Sequence, residues 1–251
     1  MVRKFNHSYV VDSTNITKQW DSVASLRYNQ LRSKLDLSFQ YVLVPNIFKL
    51  SCGCDFNFVL DAGCGTGILS EKIAKKANKV IGVDFSRSSI DIANANKVNK
   101  NIIFINKSVE EFWPEEKFSL VIANMFFQDT PKIESSITAI GRMIKNNGCL
   151  VLTMTHPFFW PKYWSYEKES WFSYDKEIAI ETDFIISNNE ESVGVTTHFH
   201  RPLSMYISLF INQGFKLLDF LEPIPCLAIQ KLYKNPWEYP RFLALKLMKI
   251  V

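Results

Sequence analysis

Along the first 155 residues, short apolar runs alternate with amphipathic stretches, and the period of each predicts its element. Residues 15 to 50 read as helical, with Trp20, Val23, Ala24 and Tyr28 at helical spacing and a second stretch, Tyr41 to Leu50, carrying Pro45 in its first turn. Phe58-Val59-Leu60 is a short buried strand, followed by a helix from Ile68 to Ala77. Lys79 to Val83 is the next strand, ended by Asp84. A helix from Ser88 to Val98, strands at Ile102 to Ile105 and Phe118 to Ala123, and a helix from Ile133 to Ile144 follow. The turn residues Asn146-Asn147-Gly148 lead into a strand from Cys149 to Met154. Strands that alternate with helices of this length predict a parallel sheet with helices on both faces.

After Thr155 the alternation breaks. Nine of the nineteen residues from 156 to 174 are aromatic, more than a short hairpin can bury alone. Ile178 to Ile186 and Val193 to His200 read as strands joined by the polar turn Ser187 to Ser192, a hairpin inserted into the α/β unit. The α/β pattern resumes with a helix from Leu203 to Asn212, capped by Gly214, and with strands at Phe215 to Leu221 and Phe242 to Ile250. The fold predicted is α/β: a doubly wound, mostly parallel, Rossmann-like sheet of seven strands with an inserted aromatic-rich hairpin cap. It divides into an N-terminal helical cap segment (1–50), a ligand-binding core (51–155), a substrate cap (156–200) and a return to the sheet (201–251).

Composition adds one sharp fact. The 251 residues include only nine glycines, about half the usual share of roughly 7%. Three of them, Gly63, Gly65 and Gly67, lie within five residues, after a strand and at the start of a helix. Glycines so placed let the backbone turn sharply and lie against a ligand. Asp84, at the end of the neighbouring strand, can accept both hydroxyls of a ribose, which predicts a ligand containing a nucleoside. The spacing is G-x-G-x-G, not the G-x-G-x-x-G of dinucleotide folds, and the acidic Asp61 just upstream would repel a pyrophosphate. A ligand with an ammonium group and no phosphate suits that carboxylate.

Asp61 to Gly67 resembles the first motif of class I S-adenosylmethionine-dependent methyltransferases, and the resemblance continues through Asp84, Phe118 to Met125 and the strand after Gly148. It implies S-adenosylmethionine as cofactor. On this resemblance Gly63, Cys64, Gly65 and Gly67 face its methionine and ribose portion, with Asp61 beside them and Asp84 on the ribose. Phe85 lies against the adenine, Asn124 and Met125 sit near the sulfonium, and Tyr28 covers the methionine end. The sequence departs from the family at Ser108, where an Asp often binds the adenine amino group; Ser108, the backbone amide of Val109, or Glu110 takes that place.

On the acceptor side, His156 and His200 border the aromatic insertion and are the candidate general bases. The pairs His156-Pro157 and His200-Arg201-Pro202 resemble a small-molecule subgroup broadly like the quinone-biosynthesis methyltransferases. Trp20, Phe159, Trp160, Trp164 and Tyr206 are candidate acceptor contacts, and Arg201 could bind a carboxylate or phosphate. A flat or apolar small molecule methylated at oxygen or nitrogen is the expected acceptor; a peptide, RNA, or a non-catalytic binding role are the alternatives. The net charge of +4 is spread along the chain without a basic stripe, which disfavours nucleic acid. Five cysteines lack disulfide-framework or metal-site spacing, Met1 to Tyr9 lacks a signal-peptide core, and no apolar run approaches the ~18 residues of a membrane span. A cytoplasmic protein without a metal is expected.

Overall fold

The computed structural model describes residues 5–8, 13–186 and 194–250. The predicted turn Ser187 to Ser192 lies outside the described residues. The strands are β1 (Asn6–Ser8), β2 (Phe58–Ala62), β3 (Lys79–Asp84), β4 (Ile102–Asn106), β5 (Phe118–Asn124), β6 (Ile144–Thr155), β7 (Ile178–Asp183), β8 (Val195–His200), β9 (Phe215–Leu221) and β10 (Phe242–Lys249). The helices are α1 (Ser13–Arg32), α2 (Val44–Leu50), α3 (Ile68–Ala74), α4 (Arg87–Ala95), α5 (Ile133–Met143), α6 (Phe159–Trp164), α7 (Leu203–Asn212) and α8 (Leu227–Gln230). Seven strands form one sheet in the order β4-β3-β2-β5-β6-β10-β9. The first five are parallel, and β10 runs antiparallel between β6 and β9.

The central strands read as unbroken apolar runs because both sheet faces are covered. Alternate residues go to opposite cores. Leu60, Val121, Leu150, Leu152, Leu243 and Leu245 pack against α5 and α7 through Ile137, Ile140, Tyr206 and Phe210. Their neighbours Val59, Leu120, Ile122, Val151 and Ala244 pack against α2, α3 and α4 through Ile47, Ile73, Ile90 and Ala93. This two-sided burial is what makes the predicted doubly wound arrangement stable: each strand supplies apolar area to both helical layers.

Two details differ from the sequence expectation. The Asn146-Asn147-Gly148 turn lies inside the long β6, where Phe118 pairs with Ile144 but Leu120 pairs with Cys149. Asn147 takes φ 62° to make this bulge. The inserted hairpin also gains a third strand. β1, β7 and β8 form an antiparallel sheet, with Asn6 opposite Glu181 and Ile178 opposite His200. The third strand came from a polar segment with no apolar alternation to announce it.

Candidate functional site

The glycine segment leaves β2 and enters α3, with Gly63, Gly65 and Gly67 at φ 68°, 52° and 79°. The amides of Gly63 and Cys64 both donate to the Val83 carbonyl, tying the turn to the end of β3. A Cβ at Gly63 would lie 2.6 Å from the Phe126 ring, and one at Gly67 2.6 Å from Phe104. Those two positions are closed by packing. Gly65 is different: a Cβ there would meet no heavy atom within 4 Å. Its amide donates to Asp84 Oδ2 at 2.8 Å, while Asp84 Oδ1 accepts from the Ser86 amide at 2.8 Å. The Asp84 carboxylate is thus fixed at the rim of the loop, with lone pairs left for further donors.

The open side of Gly65 is a cavity of about 330 Å³, bordered by Trp20 and Arg27 of α1, the glycine loop, the segment after β5, α6, and β7–β8. It sits at the carboxyl ends of the parallel strands, where open α/β sheets place their ligands. Burial pushes Asp61 up to about 7, opposed by the Ser70 hydroxyl, which donates at 2.5 Å, and reinforced by Asp84 nearby. Burial likewise brings Asp84 to about 6, opposed by its two backbone amides. Carboxylates this costly to ionise are ready to gain a cationic partner. Met125, just past β5, is held at φ 53° with its amide donating to the Thr153 carbonyl at 2.8 Å. A non-glycine residue in that region stores about 1 kcal/mol or more, a common feature of ligand sites.

The expected residues divide sharply. Asp61, Gly63, Cys64, Gly65, Asp84, Phe85, Asn124, Met125, Trp20, Trp160 and Trp164 border the cavity. Others do not. The Tyr28 hydroxyl donates to the Asn96 side chain instead, away from the loop. Gly67 packs on Phe104 and Ala93. Val109 belongs to the core under α5, and Ser108 accepts from the Glu111 amide. Glu110 is engaged by Ser136. None of the three at 108–110 borders the cavity, whereas Phe85 and Ser89 do.

The acceptor-side histidines need correction. His156 Nδ1 accepts from the amides of Phe158 and Phe159, which fixes the proton on Nε2, donating to Glu222 at 2.7 Å. Burial lowers the ring's pKa, opposed by Glu222. With one nitrogen accepting and the other donating, His156 has no lone pair left for an acceptor's proton; it caps α6. His200 Nε2 donates to the Tyr174 carbonyl at 3.0 Å, and the ring borders only a second space of about 10 Å³. Burial and the Arg201 charge lower its pKa. Arg201 is fully buried and committed to Glu177, the Phe127 carbonyl and the Thr130 carbonyl. Its guanidinium is a structural brace, not an anion receptor. Tyr206 is buried beside it, and Phe159 stacks on Tyr239 outside the cavity.

Sequence reasoning missed His198, Gln128 and Asp129, which do border the cavity. His198 stands between the Trp164 and Tyr166 rings, and burial with His200 nearby lowers it to about 3. It is neutral and a weak base. The signal for Asp129 was present: an acid a few residues past the fourth core strand, at the ligand end of the sheet. The aromatic segment splits between two tasks. Tyr166, Trp171 and Phe172 belong to the small core under β7 and do not border the cavity, whereas Trp160, Tyr163 and Trp164 pack with that core and also border the cavity. Four buried polar atoms with no protein partner, Trp20 Nε1, Thr66 Oγ1, Gln128 Oε1 and Trp160 Nε1, belong to residues around the same space, while others, on Gln30, Arg142 and Trp237, lie elsewhere. A cradle of this kind, with an unfilled side at Gly65 and orphaned donors and acceptors, fits a polar nucleoside ligand.

A methyltransferase-domain family profile matches residues 59–148. The chain is 35% identical over 110 residues to a ubiquinone biosynthesis O-methyltransferase from Bradyrhizobium diazoefficiens, covering 43% of each chain. It is 25% identical over 186 residues to a malonyl-[acyl-carrier protein] O-methyltransferase from Ilyobacter polytropus, covering 73% of this chain and 67% of the relative. The match thus spans less than half the length of the first of these. Among solved structures, magnesium protoporphyrin IX methyltransferase from Synechocystis with bound S-adenosylhomocysteine superposes at TM-score 0.64 and 13% identity, covering 94% of this chain and 98% of that one. An S-adenosylmethionine-dependent methyltransferase from Clostridium acetobutylicum gives 0.63 at 14% identity, covering 89% and 96%.

Proposed function

We propose, from the premise that this chain's core belongs to the class I S-adenosylmethionine-dependent methyltransferases, that the protein transfers a methyl group to an oxygen or nitrogen atom of a small molecule. The observation that carries the reading is the continuity of one cavity from the glycine loop to the ring-lined cap. S-adenosylmethionine, when bound, supplies a methyl group on a cationic sulfur. In this reading Gly65 leaves room for it, Asp84 holds the ribose hydroxyls, and Phe85 flanks the adenine. Asp61 faces the ammonium group, with Asn124 and Met125 nearer the reacting end.

Residues 156–200 then act as the substrate cap. Trp20, Trp160 and Trp164 exclude water and hold a flat or apolar acceptor by ring contacts. Much of the catalysis is alignment in a dry pocket. The two O-methyltransferase relatives support an oxygen acceptor. The test is to incubate the protein with methyl-labelled S-adenosylmethionine and a metabolite extract. Label in a small molecule, lost on Gly65→Val, is expected. Label only in peptide or RNA would select another acceptor class, and cofactor binding without any transfer would favour a non-catalytic module.

A further inference from the structure

We infer that Asp129, oriented by Gln128, is the catalytic base of this site and selects acceptors that carry a proton on the reacting oxygen or nitrogen. The inference rests on the methyltransferase reading and extends it to the acceptor's chemistry.

Both residues follow β5, directly beside the strand that bears the glycine loop, and both border the cavity. Gln128 is only 2% exposed. Its Nε2 donates to the Met125 carbonyl at 2.6 Å and to Asp129 Oδ2 at 2.7 Å. Those two acceptors fix the amide's orientation and leave Oε1 as a buried acceptor with no protein donor. The backbone adds rigidity: the Phe199 amide donates to the Gln128 carbonyl, and the Asp129 amide to the Phe126 carbonyl. Asp129 forms no ion pair among the described residues. Arg27 of α1 pairs with Asp36. Arg201, after β8, is committed to Glu177 and to backbone carbonyls. Burial raises the Asp129 carboxyl to about 8, opposed by the hydrogen bond from Gln128 and by the charges of Arg27 and Arg201. A carboxyl at that value is a far stronger base than one in water.

Once Asp129 is ionised, two acceptor groups side by side call for a ligand that donates. The wider cavity points the same way. Five aspartates and three cations border it among the described residues. Of the cations, Arg27 is paired and Arg241 donates to the carbonyls of Asn235 and Pro236. Above about pH 8, where Asp129 is ionised, a carboxylate acceptor would have to approach it with like charge, and it has no proton to give up. A hydroxyl or amine does. As its oxygen or nitrogen forms the new bond to the methyl carbon, the O–H or N–H bond breaks and the proton passes to the Asp129 carboxylate. The electron pair of the broken sulfur–carbon bond stays on sulfur, so charge and atoms balance.

The experiment is calorimetry at about pH 9, where Asp129 is ionised, on protein saturated with S-adenosylhomocysteine, using phenol, benzylamine and benzoate as probes. The wild type is expected to bind phenol and benzylamine at least tenfold more tightly than benzoate; the better of the two indicates an oxygen or nitrogen acceptor. Asp129→Asn should reduce that preference by tenfold or more, with S-adenosylhomocysteine affinity unchanged within twofold. Benzoate binding as tightly as the other probes in the wild type would overturn the inference, whatever the variant's fold. So would an unchanged preference in Asp129→Asn, or no binding by any probe at millimolar concentration. Failure of S-adenosylhomocysteine itself to bind would instead overturn the underlying methyltransferase reading.

Discussion

Substituting Gly65 by alanine separates the loop's ligand role from its backbone role. At φ 52°, an L-residue costs roughly 1–2 kcal/mol. No heavy atom lies within 4 Å of the added methyl, so packing adds nothing to that cost. For a chain of this size each kcal/mol moves the melting midpoint by about 2–4 °C, which gives a drop of about 2–8 °C. Gly53 supplies the control: its φ is 76°, its added methyl also meets nothing within 4 Å, and it is exposed outside the cavity. Gly53→Ala should therefore lower the midpoint by a similar amount. Only Gly65→Ala places a methyl in the space proposed for the ligand. Calorimetric titration with S-adenosylhomocysteine should show at least a tenfold weaker Kd in that variant, or about 1.4 kcal/mol, and no change in Gly53→Ala. Equal affinity in the two variants would refute the assignment of the loop.

Other expectations follow from the same geometry. His156→Ala and Glu222→Ala should each destabilise the fold by about 1 kcal/mol, with less than additive loss in the double variant, because they share one hydrogen bond; denaturant midpoints check this. Neither should change S-adenosylhomocysteine affinity. Arg201→Met should cost at least about 2 kcal/mol, since it leaves the Phe127 and Thr130 carbonyls without their donor. Asp61 has a raised pKa in the folded state, so its contribution to stability is present below the ordinary carboxylate range and lost as pH rises through about 7. Ligand binding reverses that trend: S-adenosylhomocysteine affinity should rise from about pH 6 to about pH 8 as Asp61 ionises, and Asp61→Asn should flatten the rise.

The sheet was legible because strands covered on both faces are mostly apolar, so β2, β5 and the later part of β6 stand out from the helices between them. The glycine loop was legible because its backbone conformation demands a residue type. Side-chain roles near the acceptor were harder. His156 and His200 drew notice by flanking the aromatic run, yet their ring nitrogens face Glu222 and the Tyr174 carbonyl, partners 66 and 26 residues away. Nothing local marks such a partner. Arg201 was read as an anion receptor for the same reason: the carbonyls that consume its donors are more than 70 residues upstream. β1 escaped because Asn6-His7-Ser8 is exposed and polar, and pairs with β7 as an edge strand.

The central claim is that one cavity holds the cofactor against the Gly65 loop and the acceptor under the rings of the cap. Diffraction from crystals grown with S-adenosylhomocysteine tests it most directly. The account predicts the ribose hydroxyls on Asp84, the adenine beside Phe85, and the sulfur directed toward the space bordered by Trp160, Trp164 and Asp129. Ligand density elsewhere, or a sulfur turned away from that space, would contradict it.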